Sequence, residues 1–319
     1  QILGQLLKKV GENVWIEPDF KCEFGKNITL GDNVYINFGC VVLDCAEVTI
    51  GAHALLGPNI GLYPVNHAAD AEERMHGCCS GKPIRMGLAL ENCGRDILFS
   101  ACSWGADETH EWIKETGASM WRSTGDIFDT WDSVKDLVAQ QEKLHPYNGV
   151  GCFNDMDMLI VGMHGKGNVG LAGCSDVQYQ THYALWAFLG SPLMIGCDIR
   201  EMSDETRRIL MNDEMIRINQ DPLCRQPYKV KNHAWNDKVL LYVKALADGD
   251  LAIGMFNLSD EKSRAAMNLD EIGLPFSTGR TLELTEVWTG ENLCANNASL
   301  VTELEPFASK VYRAKVVKL

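Results

Sequence analysis

The first 65 residues repeat a short motif, and this repeat constrains the fold more than any other feature of the chain. The motif is an aliphatic or aromatic residue, then glycine, then two further residues that are mostly polar. It occurs at Val10–Asn13, Phe24–Asn27, Leu30–Asn33, Ile50–His53 and Leu56–Asn59. Successive motif glycines are 14, 6, 20 and 6 residues apart, which are multiples of six with two extra residues in two of the steps. Six residues per strand and turn is the period of a left-handed parallel β-helix, in which each coil is a triangle of three short strands.

In such a coil the aliphatic position points inward and stacks on its equivalents in the neighbouring coils. Gly and Asn occupy the corners, where a positive φ is often needed. The alternative is a run of β-hairpins in a sandwich, which the repeated step disfavours.

Several segments of this N-terminal region resemble the maltose and galactoside O-acetyltransferases. The likeness covers residues 8–85 and is carried by Gly31–Phe38, Leu43-Asp44, Tyr63–Arg74 and Gly81–Ile84. The resemblance implies that His67 is the general base that takes the sugar hydroxyl proton and that Asn37 helps to place the sugar; imidazole suits the first role because its pKa lies near neutrality. A solvated loop histidine is the alternative for His67. The later coils of that family, which carry most of the acetyl-CoA contacts, are absent, so acetyl-CoA is expected as a cofactor only for a complete segment.

From about Met86 the six-residue rule stops and strand-like runs alternate with helical ones. The residue pattern predicts helices over 109–116, 131–144, 177–189 and 204–218, a strand followed by a loop over 120–127, a buried strand over 156–161 and a strand over 193–195. After Asp221-Pro222 it predicts strands over 239–243, 251–256, 281–287 and 310–314, with turns between them and no long helix. The fold class is therefore mixed: a left-handed parallel β-helix fragment over 1–85, the second half of a (β/α)8 barrel over 86–221, and an antiparallel β-sandwich over 222–319.

Polar residues follow three of the barrel strands, at the ends that usually carry catalysis. The three runs are Ser100–Ala106, Trp121–Ile127 and Phe153–Leu159. Tryptophan beside Asp, Arg and Asn is the composition of a sugar pocket, because the indole stacks on the apolar face of a pyranose while charged groups bind its hydroxyls. A carboxylic acid placed there can protonate a leaving glycosidic oxygen. Taken singly, each Asp is more simply a turn residue.

Taken together, the stretch from about Met86 to the C-terminus resembles glycoside hydrolase family 27, the retaining α-galactosidases and α-N-acetylgalactosaminidases. The supporting runs are Trp121–Ile127, Trp131–Ser133, Asn154–Leu159, Ser191–Arg200 and Ile218–Leu223. The resemblance implies that Asp126 is the general acid/base, that Arg122 binds and orients, and that Asp157 and Met158 line the sugar pocket. It implies no cofactor and no metal for this reaction, and a small carbohydrate as substrate.

The run Cys102-Ser103-Trp104-Gly105-Ala106 also bears on selectivity within that family. Many α-galactosidases have Glu after this cysteine, where it holds the galactose 2-hydroxyl. Ser103 and Ala106 are small, as in the α-N-acetylgalactosaminidases, and Trp104 lies between them. We expect the space to admit an acetamido group.

One element of the family pattern is missing. A retaining enzyme needs two carboxylates about 5 Å apart, and the family's nucleophile is an Asp in a Lys-aromatic-Asp-x-Cys run that this sequence lacks. The likeness enters the family at about the fifth barrel strand, so we expect the nucleophile to be absent and the chain to be inactive as it stands. The alternatives are a sugar O-acetyltransferase fragment and a non-catalytic carbohydrate-binding protein. Whether the fusion is a gene rearrangement or an assembly artefact stays open.

The overall charge narrows the choice of partners. The chain has 29 Lys and Arg against 43 Asp and Glu, a net charge of −14. An acidic surface repels phosphate backbones, so nucleic acid is an unexpected partner. No run of about 18 apolar residues occurs, so no membrane span is expected. The chain shows no signal peptide, and its 12 cysteines show no CxxC pair; both features favour the cytoplasm, with the cysteines as buried small hydrophobes rather than disulfides. The oligomeric state is open.

Overall fold

The computed structural model divides into two compact units, residues 1–119 and 120–319. It describes residues 3–67, 79–81, 90–106, 108–167, 171–235, 237–295 and 298–319. Each unit is presented separately below. None of the helices in these ranges is long and apolar enough to cross a membrane.

The N-terminal unit is a β-solenoid made of three parallel sheets. Its strands are β1 (Lys9–Val10), β2 (Trp15–Ile16), β3 (Lys21–Cys22), β4 (Ile28–Leu30), β5 (Tyr35–Ile36), β6 (Val41–Val42), β7 (Val48–Ile50), β8 (Leu55–Leu56) and β9 (Gly61–Leu62). The sheets have the orders β1-β4-β7, β2-β5-β8 and β3-β6-β9. Partners such as Lys9 with Thr29 and Val41 with Gly61 are 20 positions apart. The solenoid prediction is confirmed, with two residues more per coil than three hexapeptides; its left-handed sense stays a prediction.

The corners of the coils explain why the motif needs Asn and Gly. Asn13, Asn33 and Asn59 have φ of 53°, 55° and 59°, the left-handed region that Asn tolerates best after Gly. Gly31 is needed for a different reason, because a Cβ there would lie 2.7 Å from the Cα of Ala52 in the next coil. The corner glycine therefore sets how closely successive coils can stack.

The solenoid core contains one buried carboxylate among aliphatic side chains. Ile28, Leu30, Val34 and Ile36 have no exposed surface, as the inward aliphatic position of the motif predicts. Asp44 is equally buried, and its two oxygens accept hydrogen bonds from Phe24 N at 2.8 Å and Asn27 N at 3.2 Å. Burial alone would raise the pKa of Asp44, but these backbone N–H groups outweigh it and hold the pKa below its ordinary value.

The rest of this unit contains short elements. They are α1 (Leu3–Leu6), β10 (Val65–His67), β11 (Cys79–Gly81), β12 (Ser100–Cys102), α2 (Thr109–Trp112) and a 3₁₀ helix (Ile113–Thr116). β10 and β11 form an antiparallel pair. The helix predicted over 109–116 is therefore one α-turn continued by a 3₁₀ turn.

The C-terminal unit begins with an α/β region. It contains the parallel strands β13 (Met120–Arg122) and β14 (Phe153–Asp155), and a parallel bridge joins Leu159 to Ile195. Its helices are α3 (Trp131–Gln141), α4 (Asp176–Phe188), α5 (Asp204–Leu210) and α6 (Asp213–Asn219), with a 3₁₀ turn at His145–Tyr147. The half-barrel assignment stays a prediction, as do the domain boundaries at 86 and 222.

Side-chain caps determine where these helices begin. Thr130, Ser203 and Asn212 accept hydrogen bonds from the third residue along, and Ser175 forms a capping box with Gln178. The single helix predicted over 204–218 is wrong, because Asn212 ends α5 and caps α6. The strand predicted over 156–161 lies earlier, at 153–155, and the strand predicted over 193–195 is reduced to one bridge.

An antiparallel β-sandwich follows, as predicted. Its strands are β15 (Tyr228–Val230), β16 (Val239–Ala245), β17 (Leu251–Asn257), β18 (Ser263–Asn268), β19 (Arg280–Glu286), β20 (Asn292–Cys294), β21 (Ser299–Leu304) and β22 (Ser309–Lys318), with 3₁₀ turns at Leu269–Ile272 and Phe276–Thr278. One sheet has the order β15-β16-β17-β22-β19-β20, and β18 pairs with β21. Its own core includes Val243, Ile253, Met255 and Leu282.

A second core joins the α/β region to the sandwich. Helix α4 is buried along most of its length, and Phe188 packs edge-on against Phe256 of β17 with ring centroids 5.5 Å apart. Trp131 Nε1 donates to Leu258 O at 3.0 Å, and Thr181 Oγ1 donates to Phe307 O at 2.7 Å. The hydrophobic cluster therefore continues from the helices into the sandwich.

The cysteines follow the sequence expectation only in part. The ten whose side chains are described are free thiols. Cys40, Cys152 and Cys174 are buried, whereas Cys45, Cys93 and Cys294 are exposed. Burial as small hydrophobes therefore holds for a minority of them.

Candidate active site

Arg122 is the centre of a charged cluster at the C-terminal end of β13. Its Nη2 lies 3.0 Å from Asp126 Oδ1 and 3.0 Å from Asp157 Oδ2, and it also donates to Gly125 O at 2.8 Å. The guanidinium thus holds two carboxylates from two successive strand-end loops. Three of the residues named from the sequence, Arg122, Asp126 and Asp157, are brought together.

Asp157 is held in an unusual conformation by its neighbours. Its φ is 80°, a region that non-glycine residues rarely adopt. Its Oδ2 accepts from Ile127 N at 2.8 Å, and its Oδ1 accepts from Met158 N at 2.7 Å. The carboxylate therefore ties the loop after β14 to the loop that carries Asp126. Met158 follows directly and is half-buried.

Asp155 is a third carboxylate in the cluster, and sequence reasoning gave it no role. Its side chain is buried at the end of β14, opposite Arg122 in the strand register, and its Oδ1 accepts from Asp157 N at 2.9 Å. Burial raises the pKa of Asp155, while the Asp157 N–H and the Arg122 charge act in the opposite direction. No local signal in the sequence reveals this role, because the position of Asp155 opposite Arg122 depends on the register between β13 and β14.

The exposures of the three charged side chains differ in a way that suits different tasks. The Asp126 side chain is 57% exposed, whereas those of Arg122 and Asp157 are 15% and 16% exposed. Asp126 Oδ2 makes no hydrogen bond within the described ranges, so it is free to meet a ligand. Arg122 and Asp157, the two less exposed side chains, are suited to holding the loops in place. The more exposed Asp126 carboxylate is accessible to a ligand.

Buried polar contacts from helix α4 and Ser191 hold the segment that follows strand β14. Trp186 Nε1 donates to Asp157 O at 2.8 Å, and Ser191 Oγ accepts from Met156 N at 3.0 Å. His182 Nε2 accepts from Ile160 N at 3.1 Å, and complete burial lowers the pKa of His182 to about 3, so the ring is neutral. Sequence reasoning missed these contacts because they depend on how α4 packs on the strand ends.

The segment after Asp126 is anchored by a buried carboxylate, that of Asp129. Its oxygens accept from Gly165 N at 2.7 Å, Cys174 N at 3.1 Å and the Tyr179 hydroxyl at 2.8 Å. Both Asp129 and Tyr179 have no exposed surface. One carboxylate therefore joins the segment after Asp126 to Gly165, to Cys174 and to helix α4.

The other residues named from the sequence lie in the N-terminal unit. Ser103 and Ala106 close a turn through Ala106 N and Ser103 O at 3.1 Å, with Trp104 at φ 55° and 54% exposed at its tip. Ser103 Oγ is buried and has no hydrogen-bond partner among the residues that the structure describes. Asn37 follows β5, and its Oδ1 accepts from Phe38 N at 2.8 Å. His67 ends β10, and its side chain lies outside the described residues.

One group of side chains could approach a metal ion. Glu108, His110 and Glu111 offer ligand atoms within 4.8 Å of one another, with both glutamates exposed. Exposed acidic groups of this kind are common without a metal, so the sequence expectation of no metal is kept as a prediction.

Carboxylates gathered around a guanidinium at the ends of parallel strands, followed by an antiparallel sandwich, point to the glycoside hydrolase class. The profile of a family described as Alpha galactosidase A matches residues 67–221, and that of the Alpha galactosidase C-terminal beta sandwich domain matches residues 236–314. These two segments are therefore similar to the alpha-galactosidase family. The match begins at residue 67, before Met86, so the likeness starts earlier than the sequence analysis placed it.

Individual relatives agree with this family. An alpha-galactosidase of Cyamopsis tetragonoloba is 34% identical, over 71% of this chain and 52% of that protein. An alpha-N-acetylgalactosaminidase of Gallus gallus is 33% identical, over 68% of this chain and 55% of that protein. The crystal structure of alpha-galactosidase I from Mortierella vinacea has a TM-score of 0.64 and 24% identity, over 72% of this chain and 61% of that chain, which shows the shared fold. The chain spans about half the length of the curated relatives it matches.

Proposed function

We propose that the C-terminal unit carries part of a retaining glycoside hydrolase site for α-D-galactosides or α-N-acetylgalactosaminides. The observation that carries this proposal is the Arg122 guanidinium, which holds Asp126 and Asp157 at 3.0 Å each. The reaction uses carboxylates to protonate the leaving oxygen and to attack the sugar, and it needs no cofactor.

In this proposal Asp126 is the general acid/base. Its free Oδ2 is the atom that would donate a proton to the glycosidic oxygen and later accept one from water. Arg122 holds the other oxygen, so the carboxyl group keeps one orientation through both steps.

Asp157 and Met158 have binding roles. Both oxygens of Asp157 already accept backbone hydrogen bonds, which fixes their remaining lone pairs in direction. Fixed acceptors of this kind suit sugar hydroxyls, because little order is lost when the ligand binds. The half-buried thioether of Met158 offers an apolar contact beside them.

The test of the acid/base role is turnover of aryl and alkyl α-galactosides by Asp126→Asn with added azide, an external nucleophile that replaces the absent carboxylate. We expect kcat/KM on alkyl galactosides to fall about 10²- to 10⁴-fold, with a smaller loss on nitrophenyl galactosides, whose leaving group needs no proton. Asp132→Asn is the matched control, because Asp132 is 92% exposed on α3 and pairs only with Lys135. Equal losses on both substrates would contradict the role.

We also infer that the nucleophile does not come from residues 86–221, so this chain alone hydrolyses little substrate. Removing a nucleophile leaves little of a double-displacement rate. Substrate binding then becomes the measurement of choice. We expect galactose affinity at the millimolar level by calorimetry, lost in Asp157→Ala and kept in Asp132→Asn. Rapid hydrolysis of nitrophenyl α-galactoside by the purified chain would refute the inference about the nucleophile.

The choice between the two sugars is a separate proposal. Ser103 and Ala106 are small, and Ser103 Oγ is a buried polar atom in need of a partner. We propose that the acetamido group of N-acetylgalactosamine is preferred. Comparison of the two free sugars in the same titration tests this, and tighter binding of galactose would refute it.

We propose as an alternative that residues 8–85 take part in sugar O-acetyl transfer, a proposal that rests on the sequence resemblance described above. The outward column of Trp15, Tyr35 and Leu55, of which Trp15 is 64% exposed and shares Glu17 Oε1 with the Tyr35 hydroxyl, offers an aromatic surface on which a sugar could stack. Retention of the chain on immobilised coenzyme A would favour acetyl transfer. Sugar binding without retention would favour a non-catalytic carbohydrate-binding role instead.

A further inference from the structure

The sandwich presents a tryptophan to solvent on a firmly held loop. Trp235 is 85% exposed, the highest value among the large apolar side chains of the described ranges. It lies in the connection between β15 and β16 and has a φ of 57°. A bulky side chain in this left-handed region is uncommon, because it costs free energy that the surrounding structure has to offset.

Hydrogen bonds to strand β18 supply that support. Asn232 Oδ1 accepts from Ala234 N and Ala266 N, both at 3.0 Å, and Asn232 Nδ2 donates to Arg264 O at 3.3 Å. His233 N donates to Ala266 O at 2.8 Å. The side chain of one asparagine therefore joins the loop to the strand, and the residues before Trp235 are fixed.

A histidine anchors the loop further, and a lysine lies near the ring. His233 Nε2 lies 2.6 Å from Glu271 Oε1, which ties the loop to the turn after β18. Lys231 Nζ lies 5.1 Å from the centroid of the Trp235 ring. The indole thus has a cation near one face, while its high exposure leaves apolar surface open to a ligand.

We infer that Trp235 and Lys231 form a carbohydrate-binding site on the sandwich, separate from the Arg122 cluster. A pyranose stacks its apolar C–H face on the indole, and the Lys231 ammonium donates to a ring hydroxyl. A preformed aromatic surface loses little conformational freedom on binding, so one ring can hold a sugar weakly but specifically. Repeated sugars on a polymer would raise the apparent affinity through multivalency.

The ligand class follows from the surface. A single exposed ring offers much less area than a stable protein partner needs. The chain is strongly acidic, with a net charge of −14, which disfavours polyanions and favours neutral polysaccharides. The use of galactose-bearing polymers as probes rests on the proposed function; the stacking itself requires only a pyranose.

The experiment is native affinity electrophoresis of the full chain in gels with and without galactomannan, unsubstituted mannan or xylan. We expect the parent chain to be retarded by at least one of these gels. Trp235→Ala should lose the retardation, with at least a tenfold weaker apparent Kd, whereas Trp235→Phe should keep most of it. Lys231→Ala should weaken binding two- to fivefold.

Phe276→Ala is the matched control, because Phe276 is 71% exposed on the same domain. It should migrate as the parent does. Absence of retardation in all three polymers, or equal retardation of the parent and a folded Trp235→Ala, would overturn the inference. A change in the oligomeric state of Trp235→Ala would also overturn it, because the ring would then be a protein contact.

Two variants, Trp235→Ala and Asp157→Ala, distinguish a failure of this inference from a failure of the proposed function. Galactose affinity at the Arg122 cluster should be unchanged in Trp235→Ala and lost in Asp157→Ala. Polymer retardation should show the opposite pattern. Retardation without any monosaccharide binding would leave the sandwich site standing and remove the proposed active site.

Discussion

The buried carboxylate of Asp129 gives the sharpest prediction about stability. In Asp129→Ala, Gly165 N and the Tyr179 hydroxyl lose their acceptor in a site with no solvent, while Cys174 N keeps only its longer contact of 3.3 Å with that hydroxyl. A buried donor left unsatisfied costs about 1–3 kcal/mol, so two of them cost about 2–6 kcal/mol. We take about 4 kcal/mol as the expected loss in the free energy of unfolding.

The measurement is urea unfolding of the C-terminal unit, followed by circular dichroism and tryptophan fluorescence. A loss of about 4 kcal/mol is a large part of the 5–15 kcal/mol typical of a native protein, so the midpoint should move strongly. Asp129→Asn keeps an acceptor oxygen and should lose less, about 1–3 kcal/mol.

Asp132→Ala controls for the loss of an Asp from the same segment. Its exposed pair with Lys135 should contribute less than about 1 kcal/mol. If Asp129→Ala lost no more than this control, with an unchanged denaturant slope, the carboxylate would not hold the loops and the reasoning would be refuted.

Three further predictions concern two buried titratable groups and one glycine at a corner of the solenoid. Because burial lowers the pKa of His182 to about 3, protonation of this ring favours the unfolded chain. The free energy of unfolding should therefore fall by up to about 1.4 kcal/mol per pH unit as pH drops from about 6.5 toward 3, and His182→Gln should remove this slope in pH-dependent unfolding. Gly31→Ala should destabilise the solenoid by more than about 2 kcal/mol in thermal unfolding, because the added Cβ would lie 2.7 Å from the Cα of Ala52. Gly51→Ala should be tolerated, because a Cβ at that position would meet no described atom within 4 Å. Equal effects of the two substitutions would contradict the stacking argument. Because the pKa of Asp44 is lowered in the fold, its contribution is present above the ordinary Asp pKa and lost as pH falls through the folded value, so Asp44→Asn should flatten the acid unfolding of the solenoid, and an unchanged acid limb would count against it.

The solenoid was predictable because its signal is local and repeated. Each coil places an aliphatic residue inward and an Asn or Gly at a corner, so Asn13 and Asn33 appear at equivalent positions 20 residues apart. The two extra residues per coil were visible in the glycine spacing. The left-handed sense depends on chain crossing, which spacing alone does not determine.

The helices of the C-terminal unit show where the local signal ends. Apolar spacing continues from Ile209 through Met211 to Met215, so it predicted one helix. The Asn212 side chain instead accepts from Met215 N and starts a second helix. Strand β18, Ser263–Asn268, was missed because its residues are poor strand formers, and it exists through pairing with β21.

The sequence could predict which residues form the candidate site, but not the buried contacts that hold those residues in place. Arg122, Asp126 and Asp157 follow strands that end on the same side, so their meeting could be expected. Asp155 and Trp186 could not be placed in advance. Their roles depend on strand register and on the face that α4 buries, which are tertiary properties.

The continuous core between the α/β region and the sandwich has a consequence for how such chains evolve. Phe188 meets Phe256, and Trp131 and Thr181 bond to backbone carbonyls of the sandwich. A recombination event between residues 221 and 222 would expose both halves of that core at once. The two parts should therefore be inherited together and lost together, and a gene that acquires this sandwich should acquire helix α4 with it.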